Sequence, residues 1–368
     1  MTRPVLIMAG GTGGHVFPAL AVAAALRQQG LPVEWLATRR GMEQQLLTHY
    51  DFPRHTIGVS GLRGHGVGAW LFAPLKLIAA LVACIRVFIR RRPCVAVGMG
   101  GFASGPGGIA ARLLGVPLVI HEQNAIAGST NRILARLATL ILQAFPGTFA
   151  ESRRPITTGN PVRSTIEQVR SRSAGEKLAP EAGTAVSERE SLRVLVLGGS
   201  QGARFLNEQM PQALATVRTL PLEIRHQSGA AEKADTEARY RSFNLKADVS
   251  AFIDDMAAAY AWADLAICRA GALTIAELAT TGTPALLIPF PYATDQHQHA
   301  NAATLVQAGA ALTLDQSAAS PPNLTAVLCK LTEDRTRLQQ MAAQALACSH
   351  AGATAKVVQA IMRVRHGQ

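Results

Sequence analysis

The sequence predicts an α/β protein built on parallel sheets and divided into two similar domains, on three observations. Short apolar runs alternate with helix-patterned segments along most of the chain, the order of repeated βαβ units. The 368 residues are long for one domain and comfortable for two, and 48% of them are apolar against 16% charged. Finally, the start of the chain is echoed at its middle. Val5-Leu6-Ile7-Met8-Ala9 runs into Gly10-Gly11-Thr12-Gly13-Gly14, and Arg193-Val194-Leu195-Val196-Leu197 runs into Gly198-Gly199-Ser200-Gln201-Gly202. Each is an apolar run, two glycines, a hydroxyl residue, any residue and a glycine.

In chain order, Val5–Ala9 reads as the first strand. A helix is expected over Pro18–Gln29, stopped by Gly30 and Pro32, and then a strand over Val33–Ala37. Val95–Met99 reads as a strand, Gly107–Leu114 as a helix, Pro117–His121 as a strand and Gly128–Leu137 as a helix. From Ser171 to Ser191 the pattern becomes polar and aperiodic, as in a linker or surface insertion. Beyond the second glycine loop, Asp254-Asp255 can cap a helix over Met256–Trp262. Leu265–Cys268 reads as a strand, Leu273–Thr280 as a helix ended by Gly282 and Pro284, and Ala285–Ile288 as a strand.

Composition narrows the function. The five cysteines are scattered without a C-x-x-C pair, as reduced thiols rather than a disulfide frame or zinc site. A net charge of +12 favours an anionic partner, while 5% aromatic content and the lack of long basic runs argue against nucleic acid. The apolar run at the N-terminus is too short for a signal peptide. Ala69–Ile89 is long enough to span a bilayer, but Lys76 near its middle, Arg86 and Pro74 favour a helix of a soluble domain that touches the membrane.

Glycine-rich turns between a parallel strand and a helix let backbone N–H groups approach an anion. Neither turn here is a dinucleotide fingerprint, since the third glycine would fall at Val16, and neither has the Gly-Lys-Ser/Thr of a P-loop. That leaves a nicotinamide dehydrogenase without its loop. A third turn, Arg269-Ala270-Gly271-Ala272-Leu273-Thr274-Ile275-Ala276-Glu277, opens a helix with bare amides suited to a pyrophosphate. Glu277, one turn in, can accept hydrogen bonds from ribose hydroxyls. His121-Glu122-Gln123-Asn124 sits at the end of an apolar strand, where open parallel sheets place ligand residues. Gly159-Asn160-Pro161-Val162-Arg163 and Asp295-Gln296-His297-Gln298 are similarly polar. No Asp-x-Asp, Gly-x-Ser-x-Gly or His-Glu-x-x-His occurs, so no metal and no cofactor are expected.

The segments GGTGGHVFPALAVA, GMGGFASGPGG, HEQNAIAGSTN, TGNPVR, LGGSQGAR, FIDDMAAAYAWADL and CRAGALTIAEL together resemble the undecaprenyldiphospho-muramoylpentapeptide β-N-acetylglucosaminyltransferase family of bacterial peptidoglycan synthesis. The resemblance runs from Val5 to Asn301 apart from the linker. It implies a GT-B fold, two Rossmann-like domains facing across a cleft. The acceptor- and membrane-binding domain would cover 1–165, a linker 166–192, the UDP-GlcNAc domain 193–350, and a helix over 351–368 would return to the first domain.

The implied reaction moves N-acetylglucosamine from UDP-GlcNAc, with inversion, to the 4-hydroxyl of the undecaprenyl-linked muramoyl-pentapeptide lipid. It takes place on the cytoplasmic face of the inner membrane, at an anionic membrane surface. Carried onto matching positions, Thr12, Gly13 and Gly14 would border the donor, with Asn124 and Arg163 reaching towards it. Ser200, Ile253, Ala272, Leu273, Thr274, Ile275, Ala276 and Glu277 would build the nucleotide and sugar pocket. A glutamine, Gln298 or Gln296, would contact the sugar. The general base is His15 or Glu122. A UDP-sugar epimerase of the same fold is the alternative, and a non-enzymatic basic module would leave Glu277 and Asn124 without a task.

Overall fold

A strand covered on both faces is mostly apolar, and four strands of the first half are buried throughout, β1 (Val5–Met8), β2 (Val33–Thr38), β4 (Val95–Gly98) and β5 (Leu118–Glu122), with Glu34, Thr38, His121 and Glu122 as their buried polar exceptions. With β3 (Arg54–Ile57), β6 (Leu140–Gln143) and β7 (Ile156–Thr157) they form a parallel sheet in the order β3-β2-β1-β4-β5-β6-β7. The computed structural model describes residues 3–39, 43–58, 73–169, 191–199, 202–217, 220–292 and 296–367. These divide into two units, Met1–Arg163 with Gly352–Gln368, and Ser164–Ala351.

The sheet of the first unit separates two cores. Val5 and Ile7 point to one face, packed with Val16, Ala19, Ala23 and Leu26 of α1 (Gly13–Gln28). Leu6 and Met8 point to the other, packed with Cys84 and Phe88 of α3 (Ala73–Arg91) and Ala110 and Ala111 of α4 (Ser104–Leu113). Between these helices lies the short α2 (Glu43–Leu46), and α5 (Ser129–Leu134) follows β5. The distant α13 (Ala353–Arg365) buries Val357, Val358, Ile361 and Val364 in the α1-side core.

The second unit repeats the plan. Strands β8 (Leu192–Leu197), β9 (Leu222–Gln227), β10 (Asp248–Ser250), β11 (Leu265–Cys268), β12 (Ala285–Leu287) and β13 (Ala311–Thr313) pair in parallel in the order β10-β9-β8-β11-β12-β13. The helices are α6 (Arg204–Ala215), α7 (Lys233–Ser242), α8 (Met256–Trp262), α9 (Ala272–Thr281), α10 (His297–Gln307), α11 (Pro321–Thr332) and α12 (Arg335–Ala347). Leu206 and Met210 of α6 meet Leu324, Leu328 and Leu331 of α11 over β8 and β11.

Several boundaries differ from the sequence reading. Helix α1 starts at Gly13, not at Pro18, so Gly13, Gly14 and His15 form its first turn rather than a loop. A proline near a helix start forfeits only its own N–H bond and is already set at helical φ, so Pro18 is carried inside. Helix α4 starts at Ser104 instead of Gly107, with Pro106 in the first turn, where an N–H has no intrahelical partner anyway. Helix α5 ends at Leu134, short of Leu137. Residues 164–169, placed partly in the linker, are helical and bury Ile166 and Val169. The remaining linker, 170–190, lies outside the described residues.

Candidate functional site

In an open parallel sheet ligands bind beyond the carboxyl ends of the strands where the winding direction reverses. In the first unit that point lies between β1 and β4, and in the second between β8 and β11. Both glycine turns of the sequence fall there.

In the first unit, the backbone of the β1–α1 turn is held from beneath by a fully buried carboxylate that the sequence reading missed. Glu43 accepts hydrogen bonds from Gly11 N (3.0 Å), Thr38 N (2.9 Å) and Thr38 Oγ1 (2.5 Å). Its only signal was an acid shortly after a strand. The β4–α4 loop presses on the same turn: Gly101, at φ +80°, has its Cα so close to the Gly10 carbonyl that a Cβ would collide with it. Ser104 Oγ donates to Met8 O at 2.7 Å and clamps the loop to β1. On this platform Thr12 is exposed, and His15 is half-buried with Nδ1 3.4 Å from Thr12 Oγ1. The His15 ring rests against Gly100, where a Cβ would approach Cδ2 to 2.6 Å.

The end of β5 is a hydrogen-bonded knot. The strand takes in His121, as expected, and runs one residue further to Glu122. His121 is fully buried and donates from Nε2 to Gly159 O (3.1 Å), while Gln123 Nε2 donates to its Nδ1 (3.2 Å). Burial pushes the His121 pKa down to about 4, against the opposing pull of the Gly159 carbonyl and the Glu122 charge, so the ring is neutral near pH 7. Glu122, 2% exposed, accepts from Asn124 N, Asn124 Nδ2, Gly128 N and Asn131 Nδ2 at 2.9–3.1 Å. Asn160 Nδ2 donates to Gln123 O at 3.1 Å, which ties the Gly159–Arg163 segment to this knot. Arg163 is half-buried, its guanidinium carbon 5.4 Å from the Phe17 ring centre. Asn124 is half-buried at the head of the knot.

In the second unit the turn after β8 has Gly199 at φ +81° and Gly202 at φ +75°, and a Cβ on Gly202 would collide with Ser228 O. Ser200 and Gln201 lie outside the described residues. After β11, Gly271 is the N-cap of α9 and offers no side chain to its first turn, which leaves the amides of Ala272, Leu273 and Thr274 without a side-chain cap. Ala272 and Ile275 are buried, and Leu273, Thr274 and Ala276 are half-buried. Glu277 is 5% exposed, and Tyr260 Oη donates to its Oε2 at 3.1 Å. Ile253 is half-buried in the segment that leads to α8, where Asp255 accepts from Ala258 N as the cap.

Gln298 is already engaged: its Oε1 accepts from Ala270 N (3.2 Å) and Phe290 N (2.8 Å) and bridges the ends of β11 and β12. Gln296 is exposed in the left-handed region at φ +55°. Arg269 was not singled out as a residue by the sequence. It donates from Nη1 to Ile288 O and from Nη2 to Gln316 Oε1, and burial lowers its pKa to about 10, which still leaves it cationic at neutral pH.

Residues 5–143 match the Glycosyltransferase family 28 N-terminal domain and residues 193–361 its C-terminal domain. The UDP-N-acetylglucosamine--N-acetylmuramyl-(pentapeptide) pyrophosphoryl-undecaprenol N-acetylglucosamine transferase of Nitrosococcus oceani is 49% identical over 371 residues, covering 100% of both chains. The enzyme of the same name from Pseudomonas aeruginosa is 48% identical, again over 100% of both. The crystal structure of Acinetobacter baumannii MurG, 41% identical, matches with a TM-score of 0.80 over 98% of this chain and 100% of that one. A UDP-GlcNAc 2-epimerase from Neisseria meningitidis, only 12% identical, matches at a TM-score of 0.66 over 98% and 100% of the two chains and shares the fold alone. With both domain descriptions matched and relatives near half identity along its whole length, this two-sheet chain belongs to glycosyltransferase family 28.

Proposed function

We propose that this protein transfers N-acetylglucosamine from UDP-GlcNAc to the 4-hydroxyl of an undecaprenyl-diphospho-muramoyl-pentapeptide lipid, with inversion at the anomeric carbon. The observation that carries the reading is the β11–α9 turn: three amides without a side-chain cap at a helix N-terminus, with the buried carboxylate of Glu277 one turn behind them. Such a turn takes the diphosphate, and Glu277 takes the ribose hydroxyls. Ile253 flanks the uracil, Ser200 belongs to the neighbouring glycine turn, and the Nε2 of Gln298 is the end left to face the sugar.

The acceptor belongs to the first unit. In the displacement the acceptor oxygen forms the bond to the anomeric carbon as the UDP oxygen leaves. A base takes the hydroxyl proton, and the charge that develops on the diphosphate is met by preorganised amides. His15 suits the base better than Glu122. It stands half-buried in the first turn of α1, whereas both oxygens of Glu122 are committed to shaping the Asn124–Asn131 segment. Thr12 and Asn124 border His15's task as orienting groups, with Arg163 as the nearby cation.

The membrane contact belongs to α3. Ala80, Cys84 and Phe88 bury one stripe, while Leu75, Leu77, Ile78, Val82 and Ile89 are exposed beside Lys76, Arg86 and Arg90. No helix among the described residues is long and apolar enough to cross a membrane. An apolar face flanked by cations suits peripheral binding at an anionic leaflet, where each basic residue adds about 1 kcal/mol. We place the protein there, on the cytoplasmic face.

The test is transfer of radiolabel from UDP-GlcNAc to the muramoyl lipid. Removing a carboxylate that accepts two ribose hydrogen bonds costs about 2–4 kcal/mol, so Glu277→Ala should raise KM for UDP-GlcNAc roughly 30-fold or more. Glu277→Gln preserves an acceptor for Tyr260 and should weaken donor binding as well. Donor affinity like the wild type in both variants would remove the assignment. UDP-GlcNAc turnover without any acceptor would favour epimerisation.

A further inference from the structure

One cavity of the first unit is not used by the chemistry above. It holds about 420 Å³ and begins at Ala125, the residue after Asn124. Buried Ala127, Ala135 and Phe149 are among the apolar residues of its wall, and Arg132, Arg136 and Arg153 line it as well. A second hollow of about 600 Å³ shares Ala135, Arg136 and Arg153 with the first and adds Arg154. Among the described residues no acidic one lines either hollow. Two contacts show that the region is built. Arg153 Nη1 donates to Ala135 O at 3.1 Å, which fixes that guanidinium on the wall. Thr148 Oγ1 donates to Phe145 O (2.9 Å) and lies 3.3 Å from Asn124 O, so the rim is tied to the head of the β5 knot.

We propose that this double hollow is a binding site for the carboxylates of the acceptor's peptide, a proposal that rests on the acceptor assignment made above. A guanidinium presents paired N–H donors matched to a carboxylate. A diphosphate is compact and needs its donors gathered at one point. Here the guanidiniums are spread along two adjoining hollows over an alanine-rich wall. That distribution fits an extended chain with anionic groups at intervals and small side chains between them. With the sugar near Asn124, the peptide would run away from the reacting hydroxyl along α5.

The experiment compares two acceptors, the muramoyl lipid with its pentapeptide and the same lipid lacking the peptide, using wild type, Arg136→Gln and Arg136→Glu. Loss of one bidentate guanidinium–carboxylate contact should raise KM for the peptide-bearing acceptor about tenfold, and more for the charge reversal. KM for the peptide-free acceptor and for UDP-GlcNAc should stay within about twofold, since neither reaches the hollow. Equal losses on both acceptors would mean that the arginines read the diphosphate, and would overturn the proposal. So would unchanged kinetics, or a parallel loss of cosedimentation with phosphatidylglycerol vesicles, which would assign the cluster to lipid headgroups. If the wild type transferred to neither acceptor, the acceptor assignment would fall with it. Transfer by wild type with no difference between acceptors in the variants would sink the peptide site alone.

Discussion

The close approach of the β4–α4 loop to the β1–α1 turn can be weighed by placing one methyl group at each of two glycines. Gly11 and Gly101 both have positive φ, +95° and +80°, so an alanine at either carries a backbone cost of about 1–2 kcal/mol. They differ in space. A Cβ on Gly11 meets nothing within 4 Å, while one on Gly101 strikes the Gly10 carbonyl and lies 3.1 Å from Gly10 N. Backbone cannot swing aside as a side-chain tip can, and forced overpacking adds about 1–3 kcal/mol. Gly11→Ala should therefore lower stability by about 1.5 kcal/mol and Gly101→Ala by about 3.5 kcal/mol. For a unit of this size those losses shift Tm by roughly 4 °C and 10 °C.

Trp35 is the natural reporter, fully buried with its indole N–H donating to Ala9 O at 3.0 Å, just before the turn. Thermal unfolding is followed by its emission in a background where Trp70 and Trp262 are phenylalanine. Equal shifts for the two variants, or a larger one for Gly11→Ala, would refute the contact argument.

Other expectations concern the base, a buried network and an ion pair. His15→Asn should lower kcat by about 10²-fold or more with donor KM unchanged; an unchanged kcat would exclude His15 as the base. In the second unit a directed chain runs from Tyr240 Oη to His226 Nδ1 (3.0 Å), from His226 Nε2 to Asn207 Oδ1 (3.0 Å) and from Asn207 Nδ2 to Ser228 O (2.9 Å), the carbonyl that abuts Gly202. Tyr240→Phe leaves the buried His226 Nδ1 unpaired and should cost about 1–3 kcal/mol with a raised donor KM, measurable by urea unfolding and initial rates. An unchanged unfolding midpoint would deny the chain its role. Glu34, 4% exposed, is driven upward by burial, but hydrogen bonds from Arg91 and His55 outweigh this and leave its pKa below the usual 4.5. Its stabilisation is thus complete above pH 4.5 and fades as pH falls through the lowered value. Glu34→Gln should accordingly be less stable than wild type at pH 7, with the gap closing in acid; a gap that widened in acid would reverse the sign.

The central strands were legible because burial on both faces leaves a continuous apolar run: Leu265–Cys268 is strand β11 residue for residue. Edge strands leave no such trace. In the edge strand β3 only Ile57 of Arg-His-Thr-Ile is buried; β9, paired on both sides, reads as polar for another reason, since His226 and Gln227 are buried through hydrogen bonds rather than hydrophobicity. The contiguous stretch Ala272–Glu277 was equally readable as local structure, for it opens helix α9. Glu43 and Tyr240 were not. Glu43 acts on Gly11, 32 residues away, and Tyr240 on His226, 14 away, and no local pattern announces a partner that the fold supplies. The start of α1 was misplaced because proline was read as a beginning, when its neighbours upstream could already turn.

Helix α13 has a bearing on biosynthesis. Its valines and Ile361 fill the α1-side core of the first unit, and Thr354 Oγ1 donates to Val162 O at 3.1 Å, across 192 residues of chain. A ribosome releases the first sheet early but delivers this helix only after the entire second unit has emerged. Until then an apolar groove along α1 stays open on the nascent chain. The half made first must finish last, and chaperone engagement should persist until residues near 361 clear the exit tunnel.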